Sequence, residues 1–187
     1  LEKETFLKNI LADESINEAV LLSTCNRVEI ITTVNDVETS QNIILQKLAD
    51  FSTIEYDELV ERADVFDGNS AIHHLFSVSS ALDSLVVGET QIVGQLKDAF
   101  KFSMAKGYCN RKSARAFHYS FKCAAAVRNA TSLGTGSVSV ASTAVAKAKE
   151  IFKDRDNVKA LVIGAGEMSE LAIKHLQSGK FDVLLTS

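Results

Sequence analysis

Thr24-Cys25-Asn26-Arg27 puts a hydroxyl, a thiol, an amide and a guanidinium in four consecutive residues. A thiolate attacks acyl carbons, and Arg27 is the nearest cation to stabilise one at Cys25. The bland alternative carries weight: a single cysteine after an apolar strand is more often a small core residue. The flanks decide where the thiol sits. Ala19-Val20-Leu21-Leu22 is an apolar run of strand type, and after Arg27 the residues Val28, Ile30, Thr32 and Val34 alternate with Glu29, Ile31 and Thr33 as in a half-buried strand. The four residues are therefore expected at a strand-to-strand junction, with their polar side chains converging on an open site.

A second chemical stretch lies near the end. Lys159-Ala160-Leu161-Val162-Ile163 is a continuous apolar strand, and Gly164-Ala165-Gly166 turns it into a helix carrying Met168, Leu171, Ala172, His175 and Leu176. Gly179 stops that helix, and Phe181-Asp182-Val183-Leu184-Leu185 opens a second strand. This is the pattern of a βαβ nucleotide-binding half-unit, with Gly164, Ala165, Gly166, Glu167, Met168 and Ser169 around the phosphates. Ser169 replaces the third glycine, which weakens the fingerprint. A tight turn needing glycine for geometry alone is the competing reading. The residue that reads the cofactor's ribose is expected just after the second strand. The sequence ends there, at Ser187, and does not separate NAD from NADP.

The positioning elements follow from periodicity. Phe6, Leu7, Ile10 and Leu11 mark a short amphipathic helix, and Asp36 is expected to cap one bearing Val37, Ile44, Leu48 and Phe51. Residues 52–64 read as polar and irregular, residues 64–67 as a short strand, and Asn69 as the cap of a helix with Ile72, Leu75, Phe76 and Ser79 on one face. A break at Gly88 precedes a helix from Gln91 through Ile92, Leu96 and Phe100 to Gly107. Ser113 is expected to cap the next helix, with Phe117, Phe121, Ala124 and Arg128 on one face. Gly134-Thr135-Gly136 is the best hinge, and Val138, Ala141, Val145, Ala148 and Phe152 give a further helix.

The 187 residues suit one large or two small domains, with an ordinary 46% hydrophobic fraction. No apolar run is long enough to span a membrane, and no signal peptide stands at the visible start. Three cysteines without paired spacing favour a reducing cytoplasm over a disulfide framework, and no His/Cys cluster has zinc spacing. The net charge of −4 argues against general nucleic-acid affinity, but the distribution is asymmetric. Residues 1–70 carry 15 acids and 5 bases; residues 97–128 carry eight bases (Lys97, Lys101, Lys106, Arg111, Lys112, Arg115, Lys122 and Arg128) against Asp98 alone. Such a band is either a polyanion-binding surface or a solvated helix face.

Four stretches together carry a resemblance. They are Ser23 to Arg27, His74-Leu75-Phe76 with Ala81 to Gln95, Gly136 to Ala141, and Val162 to Met168. In this order and without large gaps they closely resemble the glutamyl-tRNA reductase family, over nearly the whole chain. The cysteine and Gly-Glu-x-Gln motifs are specific to that family; the glycine-rich one is not. The resemblance implies an α/β fold: a ferredoxin-like catalytic domain with added helices over residues 1–131, on antiparallel strands. Over residues 132–187 it implies a hinge helix and the first βαβ unit of a Rossmann-type NADPH-binding domain. It also implies reduction of the glutamyl group on tRNA(Glu) to glutamate-1-semialdehyde with NADPH, the first committed step of tetrapyrrole synthesis. The implied partners are glutamyl-tRNA(Glu), glutamate-1-semialdehyde aminotransferase and a second copy in a homodimer.

In that frame Cys25 matches the nucleophile and His74 the histidine that supports the chemistry, while His73 is expected to face solvent. Thr24, Asn26, Arg27, Ser84, Glu89, Thr90, Gln91 and Gln95 match substrate contacts, with Arg27 as the fork for the substrate's side-chain carboxylate. No metal is implied. Cys109 and Cys123 are expected to be structural. Thr90 stands where the family has proline, which should loosen that loop, and Ala81 where it has glycine. The family's opening strand and the sequence beyond Ser187 are not present, so the chain is expected to be a piece of a longer protein. Two other readings stay open: a shikimate-dehydrogenase-like oxidoreductase with Cys25 incidental, and a non-catalytic tRNA-binding module.

Overall fold

The structure is a computed structural model that describes residues 2–84, 86–89, 91–133, 139–179 and 181–186. Its first unit is built on one hairpin. Strand β1 (Ile16–Ser23) pairs antiparallel with β2 (Val28–Val34), in a register that sets Leu21 against Ile30 and Ser23 against Val28. Ala19 to Leu22 is apolar at every position because both faces of the strand are covered. Val20 and Leu22 enter a core with Leu75, Val78, Ile92, Leu96, Phe100 and Phe117. Ala19 joins Phe6, Leu7, Ile10 and Ile16 on the other side, where Leu21, Ile30 and Leu48 pack against it. Type alternates along β2 but burial does not: every residue from Glu29 to Val34 is half-buried.

Helices α1 (Glu2–Leu11) and α2 (Val37–Phe51) cover one face. Asp36 caps α2, accepting from the Thr39 N–H at 2.8 Å as its sequence position predicts. A short helix α3 (Tyr56–Arg62) packs on α2 within the stretch expected to be irregular. It buries no residue, so periodicity gave it no signal. Helices α4 (Gly68–Ser79), α5 (Gln91–Ala105) and α6 (Arg111–Ala130) form the other layer.

Four local expectations fail. Residues 64–67 are not a strand, and Asp67 rather than Asn69 begins α4, with the Ser70 hydroxyl accepting from the Asp67 N–H at 3.0 Å. The buried face of α4 is Leu75, Val78 and Ser79, and Ile72 is exposed. Helix α6 begins before Ser113, and its cap comes from another element. The buried Glu18 carboxylate of β1 accepts from the N–H of Asn110 at 2.6 Å and of Ser113 at 3.1 Å. Burial alone would raise that carboxyl, but the donors of Asn110, Ser113 and Lys112 outweigh it and hold it below the usual carboxylate range.

The second unit holds α7 (Val140–Ile151), β3 (Val158–Ile163), α8 (Glu167–Gln177) and β4 (Phe181–Thr186). Strands β3 and β4 are parallel, with Leu161 opposite Leu184, and α7 packs on α8. This is a Rossmann-type β–α–β unit. The expected hinge at Gly134 to Gly136, with Val138, lies outside the described residues.

Candidate active site

The junction between β1 and β2 is built by one side chain. The Thr24 hydroxyl accepts from the N–H of Asn26 at 3.2 Å and of Arg27 at 3.1 Å, and donates to the Arg27 carbonyl at 3.3 Å. The Thr24 N–H closes the same turn on that carbonyl at 2.9 Å. The hydroxyl of Thr24 is thus committed to shaping the turn, and its work is to present Cys25 and Asn26, both exposed.

The sequence reading missed the side chains that organise Arg27. Its Nη1 donates to Glu29 Oε1 at 2.8 Å and to Asp83 Oδ2 at 3.1 Å. Burial alone would lower the guanidinium's pKa, yet these two carboxylates raise it on balance, so the charge is fixed. His74 belongs to the same cluster. Its Nε2 lies 3.3 Å from Glu29 Oε2 and its Nδ1 3.7 Å from Asp83 Oδ2. The Phe66 ring stacks on the imidazole at 4.3 Å with an 8° angle between planes. One arginine and one histidine therefore share two carboxylates. Glu29 belongs to β2 and is 14% exposed, whereas Asp83 lies on the loop after α4 and is 51% exposed, the freer of the two. Glu29, His74 and Asp83 offer ligand atoms within 4.8 Å of one another, a trio of metal-ligand type. Arg27 already supplies both carboxylates with positive charge.

The loop from Ala81 to Gln91 closes on itself, the Gly88 N–H donating to the Ala81 carbonyl at 2.8 Å. Gly88 holds φ +89, a conformation that favours glycine, and Ala81 holds φ +57 without being one. Ser84 Oγ is buried and has no hydrogen-bond partner among the described residues. Glu89, Gln91 and Gln95 are half-buried, Gln91 and Gln95 one turn apart at the start of α5. Thr90 lies outside the described residues. His73 is exposed, as expected.

Cys109 is buried, and burial pushes its thiol pKa up, so it is a poor nucleophile; Cys123 is half-buried. Cys25 is the exposed thiol among the three.

At the second glycine site Gly164 holds φ +106 and donates its N–H to the Thr186 carbonyl at 2.8 Å, and a Cβ there would meet Ser169 Oγ at 3.6 Å. Gly166 starts α8 without a side-chain cap, and a Cβ on it would meet nothing within 4 Å. The turn thus leaves first-turn N–H groups and open space, which fits a cofactor phosphate. Ala165 is exposed, Met168 and Ser169 are half-buried, and Glu167 opens the helix.

Comparison with known proteins identifies the family. Residues 2–131 match the family described as glutamyl-tRNAGlu reductase, N-terminal domain, and residues 146–186 match shikimate / quinate 5-dehydrogenase. A glutamyl-tRNA reductase from Aliarcobacter butzleri is 62% identical over 186 residues, 100% of this chain and 43% of the relative. One from Wolinella succinogenes is 51% identical over 187 residues, again 100% of this chain and 43% of the relative. The solved structure of glutamyl-tRNA reductase from Methanopyrus kandleri superposes with a TM-score of 0.62 at 28% identity, covering 99% of this chain and 43% of that one. The chain thus spans less than half the length of these relatives, and within that span it belongs to the glutamyl-tRNA reductase family.

Proposed function

We propose that this chain carries the acyl-transfer part of the NADPH-dependent reduction of glutamyl-tRNA(Glu) to glutamate-1-semialdehyde, in the cytoplasm, at the start of tetrapyrrole synthesis. The observation that carries the reading is the exposed thiol of Cys25 on a turn whose next cation, Arg27, is locked into a cluster with His74. Residues 1–131 are the catalytic domain in this reading, and residues 132–187 the hinge helix and first nucleotide-binding unit.

The Cys25 sulfur attacks the glutamyl ester carbon. The new C–S bond forms as the C–O bond to the tRNA ribose breaks, and the departing oxygen takes a proton. His74 is the proton carrier, since each of its ring nitrogens faces a carboxylate that can orient an N–H. Arg27 binds the substrate's side-chain carboxylate in competition with Asp83, the exposed partner, while Glu29 holds the guanidinium in place. Asn26, Ser84, Glu89, Gln91 and Gln95 surround the aminoacyl group, and Thr24 acts through the turn. Gly164 to Ser169 would hold the phosphates of a nicotinamide cofactor, which when bound would supply hydride. Glutamate-1-semialdehyde aminotransferase and a second copy of the protein are the partners in this reading.

Incubation with glutamate-labelled glutamyl-tRNA tests the assignment. The label should become bound to the chain through a hydroxylamine-sensitive bond, and Cys25→Ser should lose that bond. Equal labelling of the serine variant would remove Cys25 as the nucleophile and favour a non-catalytic tRNA-binding module.

A further inference from the structure

Strand β1 carries an acid where its buried pattern calls for an apolar side chain. Glu18 alternates with Val20 and Leu22 along the strand, and it is 5% exposed. One of its oxygens, Oε2, accepts from the N–H of Asn110 at 2.6 Å and of Ser113 at 3.1 Å, at the start of α6. Beside it the Ala19 N–H donates to the Tyr108 carbonyl at 2.8 Å. The corner between α5 and α6 is therefore bonded to two consecutive residues of β1. Asn110 has good capping chemistry of its own, yet its side chain makes no cap. A local cap would serve α6 equally well as a helix; the strand carboxylate also ties that helix to something else. Arg111 and Lys112, exposed bases of the positive band, stand between the two N–H groups that Glu18 holds. At its far end β1 leads into Thr24, whose hydroxyl builds the turn that presents Cys25.

We propose that Glu18 is a positioning residue for acyl transfer: it fixes the basic face of α6 relative to the Cys25 turn, so that an RNA held on that face delivers its ester to the thiol. The inference rests on the acyl-transfer reading and deepens it. Buried as it is, Glu18 reaches no substrate and acts through the geometry of β1 and α6. Contacts to a polyanion are spread over several bases and survive a small tilt of the helix. Attack on an ester carbon does not, since a misplacement of about 1 Å can cost about 100-fold in rate. Loss of the tie is therefore felt in the rate at saturation and hardly in the affinity. Because one oxygen accepts both bonds, the variants fall in a definite order. Glu18→Gln keeps an acceptor at the same reach and loses the charge. Glu18→Asp keeps the charge and withdraws it by one methylene. Glu18→Ala loses both.

Acylation of Cys25 by saturating labelled glutamyl-tRNA, read as a rate per reactive thiol, tests the proposal. The rate should fall about 10- to 100-fold in Glu18→Asp and Glu18→Ala, and stay within about 3-fold in Glu18→Gln. The affinity for uncharged tRNA and the alkylation rate of Cys25 by iodoacetamide should change by less than about 2-fold in all three. An unaltered acylation rate in Glu18→Asp overturns the proposal. So does a loss of rate matched by an equal loss of tRNA affinity or of alkylation, since Glu18 would then serve binding or general stability. A fall in Glu18→Gln as deep as in Glu18→Asp overturns it as well, because charge and not reach would then matter. A second readout needs no acylation. Spin labels on Cys25 and on Arg115→Cys, with Cys123→Ser and with Cys109 buried, should give one narrow distance when Glu18 or Gln stands at this position and a broadened one in Glu18→Asp. An equally narrow distance in Glu18→Asp overturns the proposal. If the chain with Glu18 intact never acylates Cys25, the acyl-transfer reading fails, and the distance still decides whether Glu18 sets the geometry.

Discussion

The two sheets of this chain are each two strands wide among the described residues, and they differ in what covers them. The β1–β2 hairpin lies between α1–α2 and α4–α6, so β1 buries Val20 and Leu22 on one side and Ala19 on the other. The β3–β4 pair is covered by α8 on one side. Its other face leaves Leu161 62%, Ile163 75% and Leu184 54% exposed. Both sheets have apolar strands, but only the first has turned that composition into burial on two faces. The lesson is that a continuous apolar strand reports the surroundings a segment is suited to, and a core exists only where helices meet it from both sides.

Replacing Glu18 by Ala is the hardest test of this contrast. Two hydrogen bonds to a buried carboxylate disappear and the N-terminus of α6 loses its acceptor, a loss of about 3 kcal/mol. The folded pKa of Glu18 is depressed, so its contribution is present above the ordinary carboxylate value and is lost as the pH falls through the folded value. Hydrogen exchange should therefore accelerate throughout β1, β2 and α4–α6 in the variant, and stay unchanged in β3 and β4. Acceleration in both sheets would mean that the two units share one cooperative core, and the contrast would fail.

Gly164→Ala strikes the other sheet. A left-handed conformation costs a non-glycine residue about 1–2 kcal/mol, while the added Cβ meets only ordinary contact distance from Ser169 Oγ. The effect should be confined to exchange in β3, α8 and β4. A change in the protection of β1 would show coupling where the packing offers none.

The gentlest test concerns the charged face. Arg111, Arg115, His118 and Lys122 recur along one exposed stripe of α6, though Lys106 is tied to Glu4 at 2.8 Å and Lys101 lies 3.8 Å from Asp98. Reversing Lys101 and Arg115 to Glu should weaken tRNA binding and reduce its salt slope by about 1 for each phosphate no longer neutralised. An unchanged slope would make the stripe a solvated helix face.

How much of this was legible follows from the range over which each signal acts. The hairpin, the Asp36 cap, the start of α5 and the glycine turn at Gly164 are local patterns, and each stands where the sequence places it. Cys25, Arg27 and His74 were legible by motif. What holds Arg27 and His74 was not: Asp83 lies 56 residues from Arg27, and no spacing rule pairs them. Glu29, two residues from Arg27, was open to view, since a strand puts residues two apart on one face. Glu18 reaches Ser113 across 95 residues, so a serine with good local capping chemistry drew the assignment that a strand carboxylate holds. Helix α3 was missed because it buries nothing, and the Phe66 segment because an aromatic ring that stacks on a site resembles one that enters a core.

Glu18 has one more consequence. The strand that carries it runs on to Ser23, two residues before Cys25, and its opposite end grips the start of the basic helix. A β-strand advances about 3.3 Å per residue and hardly stretches, so the five steps from Glu18 to Ser23 are a ruler of about 17 Å. One end of the ruler is fixed to the start of the basic helix, and the other carries the turn that presents Cys25. In the proposed reading, a substrate held by that helix would therefore meet the thiol at a distance set by the strand and not by any flexible loop.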